Sequence, residues 1–206
     1  MIKGAIFDID GTLLDSMPVW KNAGAEFLKT MGITAAPDLA ERIFDLTFRE
    51  GAELIRSEYE LTLSPEEIES GVVEVIREAY CGSVPFKPGI KDVLEEFRSK
   101  NVRMTLATSG SLDLALPALK RLGVSEYFEN ALSASEMNTT KYKPDIYYKC
   151  AEIMGTKPSE TMVFEDAVYA VKTSKEAGFC VTAVYDEASK DDWNEIKKYA
   201  DETIIP

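Results

Sequence analysis

The stretch AIFDIDGTLLDS, residues 5–16, ends an apolar run in two carboxylates, Asp8 and Asp10, and turns at once through Gly11. Side chains alternate along a strand, so residues two apart point to one side. Like charges that close repel, and burial at a strand end sharpens the repulsion. A compensating partner is therefore expected. Two more apolar runs end in polar groups: TLATSG in Thr108 and Ser109, and MVFED in Glu165 and Asp166. Ligands of open parallel sheets bind at the carboxyl ends of strands, which would gather these groups in one pocket. An acid after a strand is, taken alone, an ordinary loop residue or cap, and TSGS is compatible with a simple turn in which Ser111 caps a helix. Three polar ends together with the DxDGT turn point instead to phosphoryl transfer through an aspartate. Hard oxygens at Asp8 and Asp166 suit Mg²⁺. Thr108 and main-chain N–H groups near Gly11 and Ser109 suit phosphate oxygens, and a lysine is expected to add positive charge. In such chemistry one aspartate of the pair attacks phosphorus and the other shuttles the proton.

Composition narrows the alternatives. The chain has 206 residues, 45% apolar and 29% charged, enough for one good-sized domain or a core with a smaller insertion. It contains no histidine, which removes Ser-His-Asp and Cys-His catalysis and any His-ligated metal. The net charge of −13 argues against nucleic acid and anionic membranes as partners. An anionic substrate would be repelled too, unless metal ions or a few lysines reverse the field locally. Cys81, Cys150 and Cys180 are far apart and odd in number, and read as reduced core thiols. The opening MIKGAIFDID meets an acid too early for a signal peptide, and no apolar run approaches a membrane span, so a cytoplasmic protein is expected.

The elements that must position these residues follow from periodicity. Residues 2–9 read as a strand, and from Ser16 to about Tyr80 only helices appear. PDLAERIF and REGAELIRSEYE carry helical spacing, and SPEEIESGVVEVIREAY opens with a capping box of Ser64 and Glu67. After Pro85 and KPG at 87–89, the pattern alternates. Helix IKDVLEEFRSK leads to strand VRMTLATS and helix LALPALKRLG, with Gly123 as its stop. NALSAS, helix DIYYKCAEIMG, strand TMVFED, helix AVKTSKEAG, strand CVTAVYD, helix KDDWNEIKKYAD and a last strand ETII complete the chain. The expected architecture is α/β, a Rossmann-like parallel sheet with helices on both faces. Residues 1–15 and 85–206 would form this core, and 16–84 an inserted all-helical cap acting as a lid.

These motifs resemble the haloacid dehalogenase superfamily over essentially the whole chain, in the phosphatase branch close to β-phosphoglucomutase. FDIDGTLLDS resembles the first motif, which implies Asp8 as nucleophile and Asp10 as general acid/base. LATS resembles the second, with Thr108 on phosphate. MVFEDA resembles the fourth, with Asp166 and Glu165 on Mg²⁺, and the resemblance adds the Asp10 main-chain carbonyl as a ligand. In the third, KYKPDIYY, alignment on Pro144-Asp145-Ile146-Tyr147 implies Lys141 as the catalytic and phosphate-binding lysine, with Lys143 as its rival and Tyr142 in the place of a proline. The fourth motif departs as well: Ala167 stands for the family serine and Ala170 for a glycine.

The helical block should decide the substrate. Arg49 falls where the mutases carry an arginine that grips a second phosphate; its bland reading is a surface arginine at a helix start. Trp20 replaces the histidine with which mutases suppress hydrolysis, and would line a substrate pocket or pack the lid. The block is almost bare of lysine after Lys29, which disfavours the Schiff-base phosphonate hydrolases. The expected function is a Mg²⁺-dependent phosphatase acting, as a monomer, on a small phosphorylated metabolite such as a sugar or polyol phosphate. A β-phosphoglucomutase-like isomerase is the runner-up. A non-catalytic phosphate-binding protein would be expected to have lost the aspartates, yet Asp8, Asp10 and Asp166 are all present.

Overall fold

The computed structural model describes residues 1–44 and 46–206. The chain divides into two compact units, one of residues 1–15 with 85–206 and the other of residues 16–84. In the first unit, six strands among the described residues form one sheet, and every pairing is parallel. They are β1 (Gly4–Phe7), β2 (Arg103–Thr108), β3 (Asn130–Ser133), β4 (Thr161–Glu165), β5 (Cys180–Val184) and β6 (Glu202–Ile204), in the order β3-β2-β1-β4-β5-β6. β1 thus lies between β2 and β4, with Phe7 in register with Leu106 on one side and Phe164 on the other.

Residues 16–84 carry helices only among their described elements: α1 (Met17–Thr30), α2 (Leu39–Ile43), α3 (Phe48–Glu58) and α4 (Pro65–Gly82). In α4, Ile68, Val72, Ile76 and Tyr80 recur every four residues on a buried face. The capping box is present, with the Ser64 side chain accepting from the Glu67 N–H and the Glu67 carboxylate from the Ser64 N–H. The remaining helices belong to the sheet unit: α5 (Ile90–Ser99), α6 (Leu112–Arg121), α7 (Asp145–Met154), α8 (Val168–Glu176) and α9 (Trp193–Tyr199).

Strand alternation sorts the core. Ile6 and Val163 pack with Ile146, Tyr147 and Cys150 of α7. Phe7 and Phe164, one residue on, stack on each other at 4.3 Å and meet Phe97 of α5 edge-on. The sheet is therefore covered on both faces, as expected for parallel strands. Val181 and Ala183 of β5 are covered by Val171 of α8 and Ile196 of α9. No helix among the described residues is long and apolar enough to cross a membrane.

Four local expectations are corrected. The three thiols are free, but only Cys150 is buried; Cys81 is exposed because it follows Tyr80 and so turns off the buried face of α4. Ser111 occupies the N-cap of α6 without a side-chain cap hydrogen bond. The first strand stops at Phe7, where the chain leaves the ladder for the Gly11 turn. The last helix begins only at Trp193, because the Asp186 carboxylate accepts from the Ala188 N–H and starts a 3-10 turn over Glu187–Asp192 first.

Candidate active site

Parallel pairing brings the carboxyl ends of β1, β2 and β4 side by side. Asp8, one residue past β1, still donates its N–H to the Phe164 carbonyl at 3.0 Å, so β4 fixes its position. Gly11 then adopts φ 85°, a left-handed conformation that side-chain-bearing residues rarely take. The Leu13 and Leu14 N–H groups return to the Ile9 carbonyl. The Gly11 N–H donates to the Leu14 carbonyl at 3.0 Å, which removes it from the expected phosphate donors; Gly11 serves the turn instead. Gly110 follows β2 so closely that an added Cβ would lie 3.3 Å from Asp10 Oδ2 and 3.4 Å from Thr108 Oγ1. Asp10 and Thr108 therefore face the same loop. Thr108 is buried and its hydroxyl accepts from the Gly110 N–H at 2.9 Å, while Ser109 is exposed.

Alternation places Asp8 on the face of Ile6 and Glu165 on the face of Val163, the side covered by α7. Lys141, in the turn before α7, is buried there, and its ammonium pairs with Asp8 and, at 2.6 Å, with Glu165 Oε1. Thr139 Oγ1 donates to Asp145 Oδ2 at 3.1 Å and the Lys143 N–H to the Thr140 carbonyl, which hold that turn. Lys143 itself is exposed. Of the two rival lysines, Lys141 is the one that reaches the carboxylates.

Asp8, Glu165 and Asp166 are all buried, and each offers an oxygen within 4.8 Å of the others. Three buried carboxylates against one ammonium leave the cluster negative. Burial raises the Asp8 carboxyl well above the usual range, more than Lys141 lowers it, and Glu165, Asp166 and Asp10 push the same way. Asp166 is pushed up to about 7, first by burial and then by Glu165. Lys141 is raised in turn: burial opposes its charge, but Asp8 and Glu165 outweigh it. An all-oxygen donor set with excess negative charge fits a hard divalent cation.

Two supporting residues were not singled out from the sequence. Thr12, fully buried, donates from Oγ1 to Asp166 Oδ1 at 2.9 Å. Tyr147, equally buried, donates to Glu165 Oε1 at 2.9 Å, and burial followed by Glu165 raises its phenol well above normal. The threonine of DGT was a usable signal. Tyr147 entered only through the alignment of the third motif, and nothing in its spacing announced a polar partner.

Trp20 and Arg49 belong to the helical unit. Trp20 donates its indole N–H to the Tyr80 hydroxyl at 2.7 Å and meets Phe48 and Tyr80 edge-on. The exposed Arg49 guanidinium binds Glu53 at 3.1 Å and Glu66, with Glu69 3.7 Å away. An incoming phosphate would compete with three carboxylates for it.

The sequence pattern of the haloacid dehalogenase-like hydrolases matches residues 2–178. The phosphorylated carbohydrates phosphatase of Thermotoga maritima is 30% identical over 177 residues, covering 86% of this chain and 82% of that protein. The fructose-1-phosphate phosphatase of Escherichia coli is 28% identical over 175 residues, covering 85% and 92%. A solved Thermotoga maritima structure, provisionally assigned as a β-phosphoglucomutase, superposes with a TM-score of 0.86 at 28% identity, covering 100% of this chain and 95% of that one. The match runs from the strand that leads into Asp8 to beyond the helix that follows Asp166, and on that ground this chain belongs to the haloacid dehalogenase-like hydrolase family.

Proposed function

We propose that this protein is a Mg²⁺-dependent phosphatase of small phosphorylated metabolites, of the sugar or polyol phosphate class, working through an aspartyl-phosphate on Asp8. The observation that carries this reading is the buried Lys141 ammonium held between Asp8 and Glu165 beside Asp166. It is supported by relatives named as phosphatases of phosphorylated carbohydrates and of fructose 1-phosphate.

Asp8, Glu165, Asp166 and the Asp10 main-chain carbonyl would hold the ion, which when bound neutralises phosphate charge and relieves the repulsion among the carboxylates. Lys141, Thr108 and Ser109 hold the phosphate oxygens. An Asp8 oxygen attacks phosphorus in line, and the bond from phosphorus to the leaving oxygen breaks as Asp10 donates its proton to that oxygen. Asp10, now a carboxylate, takes a proton from water while the water oxygen attacks phosphorus. The bond to Asp8 breaks and inorganic phosphate leaves.

Phosphate release from a panel of sugar and polyol phosphates tests this directly. Activity should require Mg²⁺, vanish in EDTA, and fall by at least about 10³-fold in Asp8→Asn, the scale of a lost nucleophile. Release that survives Asp8→Asn overturns the assignment. Conversion of β-glucose 1-phosphate to the 6-phosphate with little free phosphate would make the protein a mutase.

A further inference from the structure

Tyr142 and Tyr169 lie where this chain departs from its family's motifs. Tyr142 stands in the place of the proline after Lys141, and Tyr169 sits between Ala167 and Ala170. They come from different elements, the turn before α7 and the first turn of α8, yet their rings stack with centroids 4.3 Å apart and planes 16° from parallel. Tyr169 is half-buried; burial and then Glu165 raise its phenol, and the Ser109 side chain, next to Thr108, lowers it. Tyr142 directly follows Lys141, and Tyr169 lies three residues after Asp166, so the pair borders the carboxylate cluster.

Tyr142 is 71% exposed. The stack covers one of its faces, and most of the residue remains exposed. A ring fixed by a second ring loses little freedom when a ligand settles on it, which is what a binding wall needs. The open face is electron-rich and suits a flat patch of slightly positive C–H groups. A cyclic sugar presents such a patch ready-formed. An open-chain polyol of the same size must first freeze several torsions.

We propose that Tyr142 and Tyr169 form the wall that selects the leaving group, favouring cyclic sugar phosphates over open-chain polyol phosphates. Tyr142 receives the C–H face of the sugar, and Tyr169 steadies Tyr142 from behind. The inference rests on the phosphatase reading and names the substrate class of that same site.

The test measures kcat/KM for glucose 6-phosphate and fructose 1-phosphate against sorbitol 6-phosphate and mannitol 1-phosphate. Wild type should prefer the ring substrates. Tyr142→Ala should cut the ring-to-chain ratio about tenfold, chiefly through KM, as expected for loss of one aromatic contact. Tyr142→Phe, which keeps the face, should retain the ratio. The ratio does not depend on how much enzyme is folded, so a poorly folding variant still reports. A ratio unchanged in Tyr142→Ala, or a wild type that prefers the open chains, overturns the inference and leaves the phosphatase standing. A wild type no more active than Asp8→Asn on all four overturns both.

Discussion

Lys141 is a side chain that would ordinarily shed its charge on burial, but two carboxylates in contact hold it as an ammonium. Among the described residues, Asp166 has no ion pair and is bound instead by the hydroxyls of Thr12 at 2.9 Å and Ser189 at 3.5 Å. This has a consequence for stability in the metal-free protein. With a carboxyl raised from 3.8 to about 7, the folded state binds the Asp166 proton more tightly than the unfolded chain does. That stabilisation is complete below about pH 4 and is lost as pH rises through about 7. Asp8 is raised in the same direction. In EDTA, urea unfolding should therefore show stability falling from about pH 5 to about pH 8. Asp166→Asn should flatten the fall and be the more stable protein at the upper end, by ~4 kcal/mol at most. Curves for the two proteins that run parallel would show that Asp166 does not carry the dependence.

At the scale of elements, the site is built by strand ends and the turns that follow them. β2 and β4 stop at polar residues and β1 one residue short of Asp8; the turn after β1 is closed by its own backbone bonds, and the loop after β2 by the Thr108 hydroxyl. The helix after Asp166 starts without a capping side chain. Ala167 sits at the N-cap of α8 with φ −88° and ψ 129°, the extended conformation of a capping residue, but has no side chain to accept from the first turn. The motif departure at Ala167 thus has a physical meaning, the loss of a cap. Ala167→Ser should restore it and raise stability by about 1 kcal/mol, read as a higher urea midpoint with an unchanged slope. A midpoint that does not move would mean that a serine hydroxyl there turns away from the helix.

At the scale of the molecule, two units with separate cores predict separable unfolding. The two tryptophans report on one unit each: Trp20 packs against Phe48 and Tyr80, and Trp193 meets Tyr185 edge-on at 5.2 Å. Smaller units bury a smaller fraction of their surface and are correspondingly less stable. In single-tryptophan variants made by Trp20→Phe or Trp193→Phe, fluorescence from Trp20 should change at lower urea than fluorescence from Trp193. Coincident transitions would mean that the chain unfolds as one cooperative body.

Much of this protein is set locally and was legible in its residues. Alternating strands and helices after Pro85 dictate a parallel sheet, the capping box starts α4 at Ser64, and the polar strand ends mark where chemistry gathers. These signals are short-range, because period, cap and turn depend on a few neighbouring residues. What depends on register and face needed the tertiary structure. The motif alignment preferred Lys141 to its rival Lys143, and the approach of α7 to the face carrying Asp8 and Glu165 is what buries the one and exposes the other. Gly11 looks like a phosphate donor until its N–H is seen to close the turn on Leu14. Tyr147 on Glu165, Thr12 on Asp166 and Tyr142 on Tyr169 join residues that no local pattern pairs, because side-chain contact across a sheet is fixed by which strands are neighbours.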